Sequence, residues 1–216
     1  MTTTKLVLEP SIFNGANKTK ELSPRVIDLS PLPPMTDEQF FLFCQANQEL
    51  RIERSAQGEI EIMSPVGGET GSRNSEVSMW LRLWAKRNKQ GIAFDSSTGF
   101  KLPNGADRSP DASWVRIERL LALSSQEKQR FLPLCPDFVV ELRSPSDGLS
   151  NLKVKMEEYI ANGAQLGWLI DPTDRTVYIY RRSQPVEKLH NPQALTGDPV
   201  LPGFTLELAD VWNPGF

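Results

Sequence analysis

The chain has 216 residues, 39% hydrophobic and 24% charged, the balance of a soluble globular protein able to bury a full core in one domain. Its formal net charge of −3 argues against a protein that coats nucleic acid by bulk attraction alone, while leaving room for a local basic surface. Cys44 and Cys135 are its only cysteines and His190 its only histidine, which leaves no disulfide framework, no plausible zinc site and poor material for a histidine-based triad.

No apolar run approaches the roughly 20 residues of a membrane span, and the start MTTTKLVLEP lacks the regions of a signal peptide, so the expected location is the cytoplasm. Residues 1–34 carry Pro10, Pro24, Pro31, Pro33 and Pro34 without periodicity and read as an irregular arm; residues 35–216 read as a single domain. Thr36 and Gln39 have capping-box spacing and open a helix through Phe40, Phe41, Phe43 and Cys44 towards Asn47. Leu50 to Arg54 and Glu59 to Met63, joined by Ser55-Ala56-Gln57-Gly58, read as a β-hairpin.

Val77, Trp80, Leu81 and Trp84 recur at helical spacing, and Gly91 is placed to stop that helix just past its last turn. Between Ser72 and Gln90 the helix carries Arg73, Arg82, Lys86, Arg87 and Lys89 against the single acid Glu76. Arg82, Lys86 and Lys89 share one face, which is either solvated surface or a stripe that contacts phosphates. Short strands follow at Ile92–Asp95, Phe100–Leu102 and Asp111–Val115, with Asn104-Gly105 as a turn between the last two. A short helical piece runs through Leu120 and Leu121, and Ser124 to Glu127 again suits a cap.

Phe138 to Leu142 is a short apolar strand bounded by prolines, with one carboxylate, Glu141, in its middle. Leu149, Leu152, Met156, Tyr159 and Ile160 form a helical stripe stopped at Asn162-Gly163, and strands follow at Leu166–Ile170 and Thr176–Arg181. Strand, helix and strand across 138–170 have the order and length of a βαβ crossover, so the expected fold class is α/β, a mixed sheet flanked by helices. Phe204 to Leu208 reads as a further edge strand.

An ionised group on a buried strand is costly unless paired or bound to metal, so Glu141 is either a satisfied structural acid or the centre of a site. Asp137, four residues earlier on the same strand, is roughly 13 Å away and too far to share one ion. Asp111 belongs to a different strand and has no such restriction, so it is paired with Glu141. Two adjacent carboxylates share either a proton or a cation, and hard oxygen ligands suit Mg2+ or Mn2+. The alternative is that Asp111 caps a turn and Glu141 is salt-bridged to an arginine. Arg143, two residues past Glu141, would point towards the same site as a donor that cannot deprotonate. Lys153 and Lys155 flank the stripe of the following helix about 200° apart, so at most one faces the site; periodicity does not choose between them.

Ser109-Pro110-Asp111-Ala112-Ser113-Trp114-Val115, Cys135-Pro136-Asp137 through Asp147, Lys155 with Tyr159, Asn162-Gly163 and Gly167 to Pro172 together resemble a bacterial restriction endonuclease family, a branch of the PD-(D/E)XK nucleases. The resemblance runs from about residue 36 to the end and lies in the ordered set. It implies a restriction-endonuclease-like core with Mg2+ (or Mn2+) held by Asp111 and Glu141. The lysine of the parent motif, two positions past the acid, is Arg143 here, and the resemblance puts the lysine on the following helix at Lys155. It also offers Glu76, on the first core helix, as a third acid. The expected function is metal-dependent hydrolysis of DNA by a homodimer, with Arg82, Lys86 and Arg143 at the nucleic acid. The alternative is an inactive nucleic-acid-binding module of the same fold. A carboxylate pair for glycoside hydrolysis is weaker, since it leaves Lys155 unexplained.

Overall fold

A computed structural model describes residues 25–27 and 33–216. In chain order the elements are β1 (Arg25–Ile27), α1 (Asp37–Ala46), β2 (Arg51–Arg54), β3 (Ile60–Met63), α2 (Gly68–Asn88), β4 (Gly91–Asp95), β5 (Phe100–Lys101), β6 (Asp107–Arg108) and β7 (Ala112–Arg116). Then come α3 (Ile117–Leu121), β8 (Phe138–Leu142), α4 (Leu149–Ala161), β9 (Leu166–Asp171), β10 (Thr176–Arg181), β11 (Glu187–His190), β12 (Ala194–Thr196), β13 (Thr205–Glu207) and α5 (Ala209–Trp212). Within the stretch read as an irregular arm, Arg25–Ile27 pairs antiparallel with β3, so part of it is sheet; residues 1–24 and 28–32 lie outside the described residues.

The main sheet runs β11-β10-β9-β8-β7-β4, with β8 and β9 parallel and the other neighbours antiparallel. Helix α4 makes the crossover between β8 and β9, as the strand–helix–strand pattern predicts. Every residue of β8 is buried because helices cover both faces of the sheet. Phe138, Val140 and Leu142 pack with Val77, Leu81 and Ala85 of α2 on one face, whereas Val139 packs with Met156 and Tyr159 of α4 on the other. Each such aliphatic side chain contributes about 1.5–3 kcal/mol of burial.

A second sheet, β1-β3-β2-β6-β5, is anchored by α1, whose Phe40 is buried with Ile52 and Ile60. The capping box predicted at Thr36 and Gln39 is present in both directions. Along β2 the side chains alternate. Ile52 faces the α1 cluster, Arg54 lies over the Phe40 ring and pairs with Asp107, and Arg51 and Glu53 project to the opposite side.

Three local expectations are corrected. The Asn104-Gly105 turn closes the small β5–β6 hairpin; β6 pairs with β2 in the second sheet, and the chain crosses to β7 only after Ser109-Pro110. Helix α2 is capped at Lys89 in the left-handed region (φ 60°), while Gly91 opens β4. A Cβ at Gly91 would sit 2.3 Å from the Val115 carbonyl oxygen and 2.5 Å from the Trp114 ring, so the glycine serves a close approach between β4 and β7. The strand near Phe204 is β13, which pairs with β12 in a separate two-stranded sheet and seals the α2 face of the main sheet.

Candidate active site

The antiparallel register pairs Ala112 of β7 with Val140 of β8, which places Asp111 across from Glu141. Since Ala112 and Val140 face α2, Asp111 and Glu141 face the α4 side. Asp111 is fixed there by two donors, the Leu142 backbone N–H on Oδ2 (2.9 Å) and the Arg51 guanidinium on Oδ1 (3.2 Å). Glu141 is 3% exposed and accepts a hydrogen bond from the Tyr159 hydroxyl at Oε1 (2.9 Å). The Lys155 ammonium lies 3.0 Å from the same oxygen. Lys155 and Tyr159 are one turn apart on α4, so one helix face delivers both.

The structure adds a carboxylate that the sequence reading did not single out. Glu53 of β2 is 1% exposed, and its Oε1 accepts from Lys155 (3.0 Å) and from the Ser109 backbone N–H (2.9 Å). Its Oε2 meets Arg108 (3.2 Å), which also binds Glu61 and Glu158. The Lys155 ammonium is therefore a bridge between Glu53 in one sheet and Glu141 in the other. A signal for this was present in the hairpin. Its register sets Glu53 opposite Glu61, a like-charge pair on one face that requires a cation between the strands, and Arg108 supplies it.

Burial raises the Glu141 carboxyl to about 7 against the attraction of Lys155, and the charges of Asp111 and Glu53 push it in the same upward direction. Burial works against ionisation of Glu53 too, but Lys155, Arg108 and Arg51 outweigh it and hold that carboxyl below its ordinary range. Burial would lower Lys155, yet Glu141 and Glu53 together keep its pKa above the usual value, so the ammonium stays charged.

The remaining candidates lie elsewhere. Glu76 sits on α2 and accepts from the Trp80 indole N–H (2.6 Å), while its neighbour Val77 packs against the sheet face opposite to the one Glu141 occupies. The expectation that Glu76 joins the carboxylates is corrected, because the sheet separates them. Arg143 donates to the fully buried Asp171 (2.8 Å) and to the Asp147 carbonyl, an internal pairing instead of a free phosphate contact. Arg82 reaches the Ala93 carbonyl (3.4 Å) and lines, with Lys86 and Lys89, a cavity of about 250 Å³ at the Gly91 end of β4. That end pairs with Arg116, about 14 Å along β7 from Ala112. Asp137 is held by Arg119 and the Arg116 N–H at the same remote end, as its distance from Glu141 along β8 requires. Lys153 lies over the Tyr178 ring, so of the two lysines Lys155 is the one at the carboxylates.

Among the described residues no group of three or more His, Cys, Asp or Glu side chains is arranged to enclose a metal ion. The donor set nevertheless suits Mg2+ or Mn2+, which use one or two carboxylates and complete their shell with water and substrate phosphate. Asp111 and Glu141 supply hard oxygens on adjacent strands, and burial, with the neighbouring charges of Asp111 and Glu53, raises the Glu141 carboxyl against the pull of Lys155.

The family model of Uma2, described as “Putative restriction endonuclease”, matches residues 37–209. The chain belongs to the Uma2 family. A crystal structure from Anabaena variabilis ATCC 29413, described as “a putative nuclease belonging to DUF820”, superposes with a TM-score of 0.66 at 22% identity, covering 83% of this chain and 98% of that one. The Uma2 chain thus has the mixed α/β, restriction-endonuclease-like fold that the resemblance implied. No curated protein matches it.

Proposed function

We propose that this Uma2 protein is a divalent-metal-dependent nuclease that hydrolyses phosphodiester bonds in DNA. The observation that carries the reading is the convergence of Lys155 on Glu141, across from Asp111, in a family described as “Putative restriction endonuclease”. Asp111 and Glu141 would hold Mg2+ or Mn2+, which when bound supplies Lewis acidity and a more acidic water. Lys155 is a donor and not a base, because Glu141 and Glu53 keep it charged. It orients the lone pair of the attacking water or stabilises charge on the phosphoryl oxygens. Glu53 positions Lys155, and the Tyr159 hydroxyl fixes the carboxylate of Glu141. Cutting both strands of a duplex takes two such sites, which a two-fold homodimer would supply. Arg82 and Lys86 would contact backbone phosphates away from the scissile bond.

The test is Mg2+-dependent cleavage of plasmid DNA by the purified protein. Asp111→Ala and Glu141→Ala are each expected to lower the rate at least about 100-fold, the scale of losing a charge-stabilising catalytic group. Unchanged cleavage by both variants removes the proposal.

One observation favours a second reading, a DNA-binding module without catalysis. Lys155 and Arg51 already neutralise the acids, so the cluster is satisfied without a metal. Salt-sensitive DNA binding without any response to Mg2+ or Mn2+ would select it.

A further inference from the structure

Asp111 has both oxygens engaged, and one of its partners is unlike the rest of the cluster. The Leu142 N–H on Oδ2 belongs to the sheet backbone and cannot leave. Arg51, on Oδ1, reaches in from the second sheet, and its side chain is 29% exposed, against 12% for Lys155 and 1% for Glu53. It also donates to the Ser109 carbonyl, while its Nε is buried without a partner among the described residues. Burial opposes its charge, yet Asp111, Glu53 and Glu141 together hold the guanidinium above its ordinary pKa, so it remains a cation. It is the cation that sits on Oδ1, the Asp111 oxygen that carries no backbone hydrogen bond.

We infer that Arg51 is a resident counter-cation of Asp111 that yields Oδ1 to the metal and passes to the scissile phosphate, so that metal and DNA bind cooperatively through one guanidinium. This rests on the proposed metal-dependent function and adds a residue which that function does not require. A divalent ion on Oδ1 and a guanidinium on the same oxygen repel at a few ångströms, in surroundings where water screens them poorly. The guanidinium therefore leaves as the ion arrives. Its planar fork matches two oxygens of a phosphodiester, and its partial exposure gives it a path towards a ligand arriving from solvent. DNA then stabilises the displaced arginine, and by linkage each ligand strengthens the other. Without DNA, Arg51 competes with the metal, and the acids stay paired instead of repelling.

The test is calorimetric titration of Mn2+ into the full-length protein without DNA, comparing wild type, Arg51→Gln and Arg51→Lys, each checked for cooperative thermal unfolding. Arg51→Gln is expected to bind Mn2+ about tenfold more tightly than wild type, within the usual range of coupling between sites. Arg51→Lys is expected to lie between them, since an ammonium keeps the charge without the fork. A matching titration of duplex DNA in the presence of Ca2+ should show Arg51→Gln binding DNA less tightly than wild type. A purely structural role for Arg51 would weaken metal binding or leave it unchanged, and either result overturns the inference while wild-type Mn2+ binding preserves the metal site. Absence of Mn2+ binding in wild type and both variants overturns the metal site and this inference with it.

Discussion

Glu141 is the residue on which structure and chemistry meet most closely. Its carboxyl is raised to about 7, chiefly by burial, so between the ordinary glutamate value near 4.5 and about 7 the folded protein holds a proton that the unfolded chain has released. Stability of the metal-free protein therefore falls as pH rises through that window. Glu53, whose carboxyl is depressed, acts with the opposite sign, but only below the ordinary glutamate range. The expected outcome in a chelator is a thermal midpoint that declines from pH 5 to 7.5 in wild type and declines less in Glu141→Gln; equal slopes in the two proteins would contradict it. At this scale the sequence reveals Glu141, because a lone acid in an apolar strand is conspicuous, and Asp111, because strand spacing rules out Asp137. Periodicity leaves Lys153 and Lys155 tied, and the family resemblance separates them. Arg51 and Glu53 stay unassigned, since the Glu53–Glu61 pairing calls for a cation between the strands but hairpin alternation does not show which helix covers that face. Glu76 is misleading for a related reason, as helical phase does not say which side of the sheet the helix will take.

Elements explain how residues so far apart in sequence come together. Helix α4 is a crossover between parallel neighbours, so its inner face must lie over β8, and Lys155 and Tyr159 follow from that constraint. The crossover is legible because β8, α4 and β9 each carry their own period and stop signals. The β5–β6 hairpin is not, because its partner is β2, about fifty residues earlier, and two-residue strands leave no pattern. Gly91 shows the same limit: its position suits a helix stop, but its reason is the Trp114 ring and the Val115 carbonyl across the β4–β7 pair. Gly91→Ala should cost about 1–3 kcal/mol in denaturant unfolding, since backbone at 2.3 Å cannot move aside cheaply. A variant as stable as wild type would show that β4 and β7 can separate without penalty.

For the whole molecule, the candidate site is the seam between two sheets. The main sheet and α4 contribute Asp111, Glu141, Lys155 and Tyr159, and the second sheet contributes Arg51 and Glu53 through the salt bridges that join the layers. In the proposed reading, a centre assembled this way keeps its acids paired with Lys155 and Arg51 until a metal and a polyanion compete for those cations. The net charge of −3 fits local recognition at such a site better than bulk attraction to DNA. Whether Asp111 and Glu141 share one divalent cation beside Lys155, as proposed, is decided by a crystal structure of the wild-type protein with Mn2+, read by anomalous scattering. A peak is expected about 2.1–2.2 Å from a carboxylate oxygen of Asp111 and of Glu141. An empty position there in metal-saturated crystals, with Lys155 still bridging Glu53 and Glu141, would contradict it.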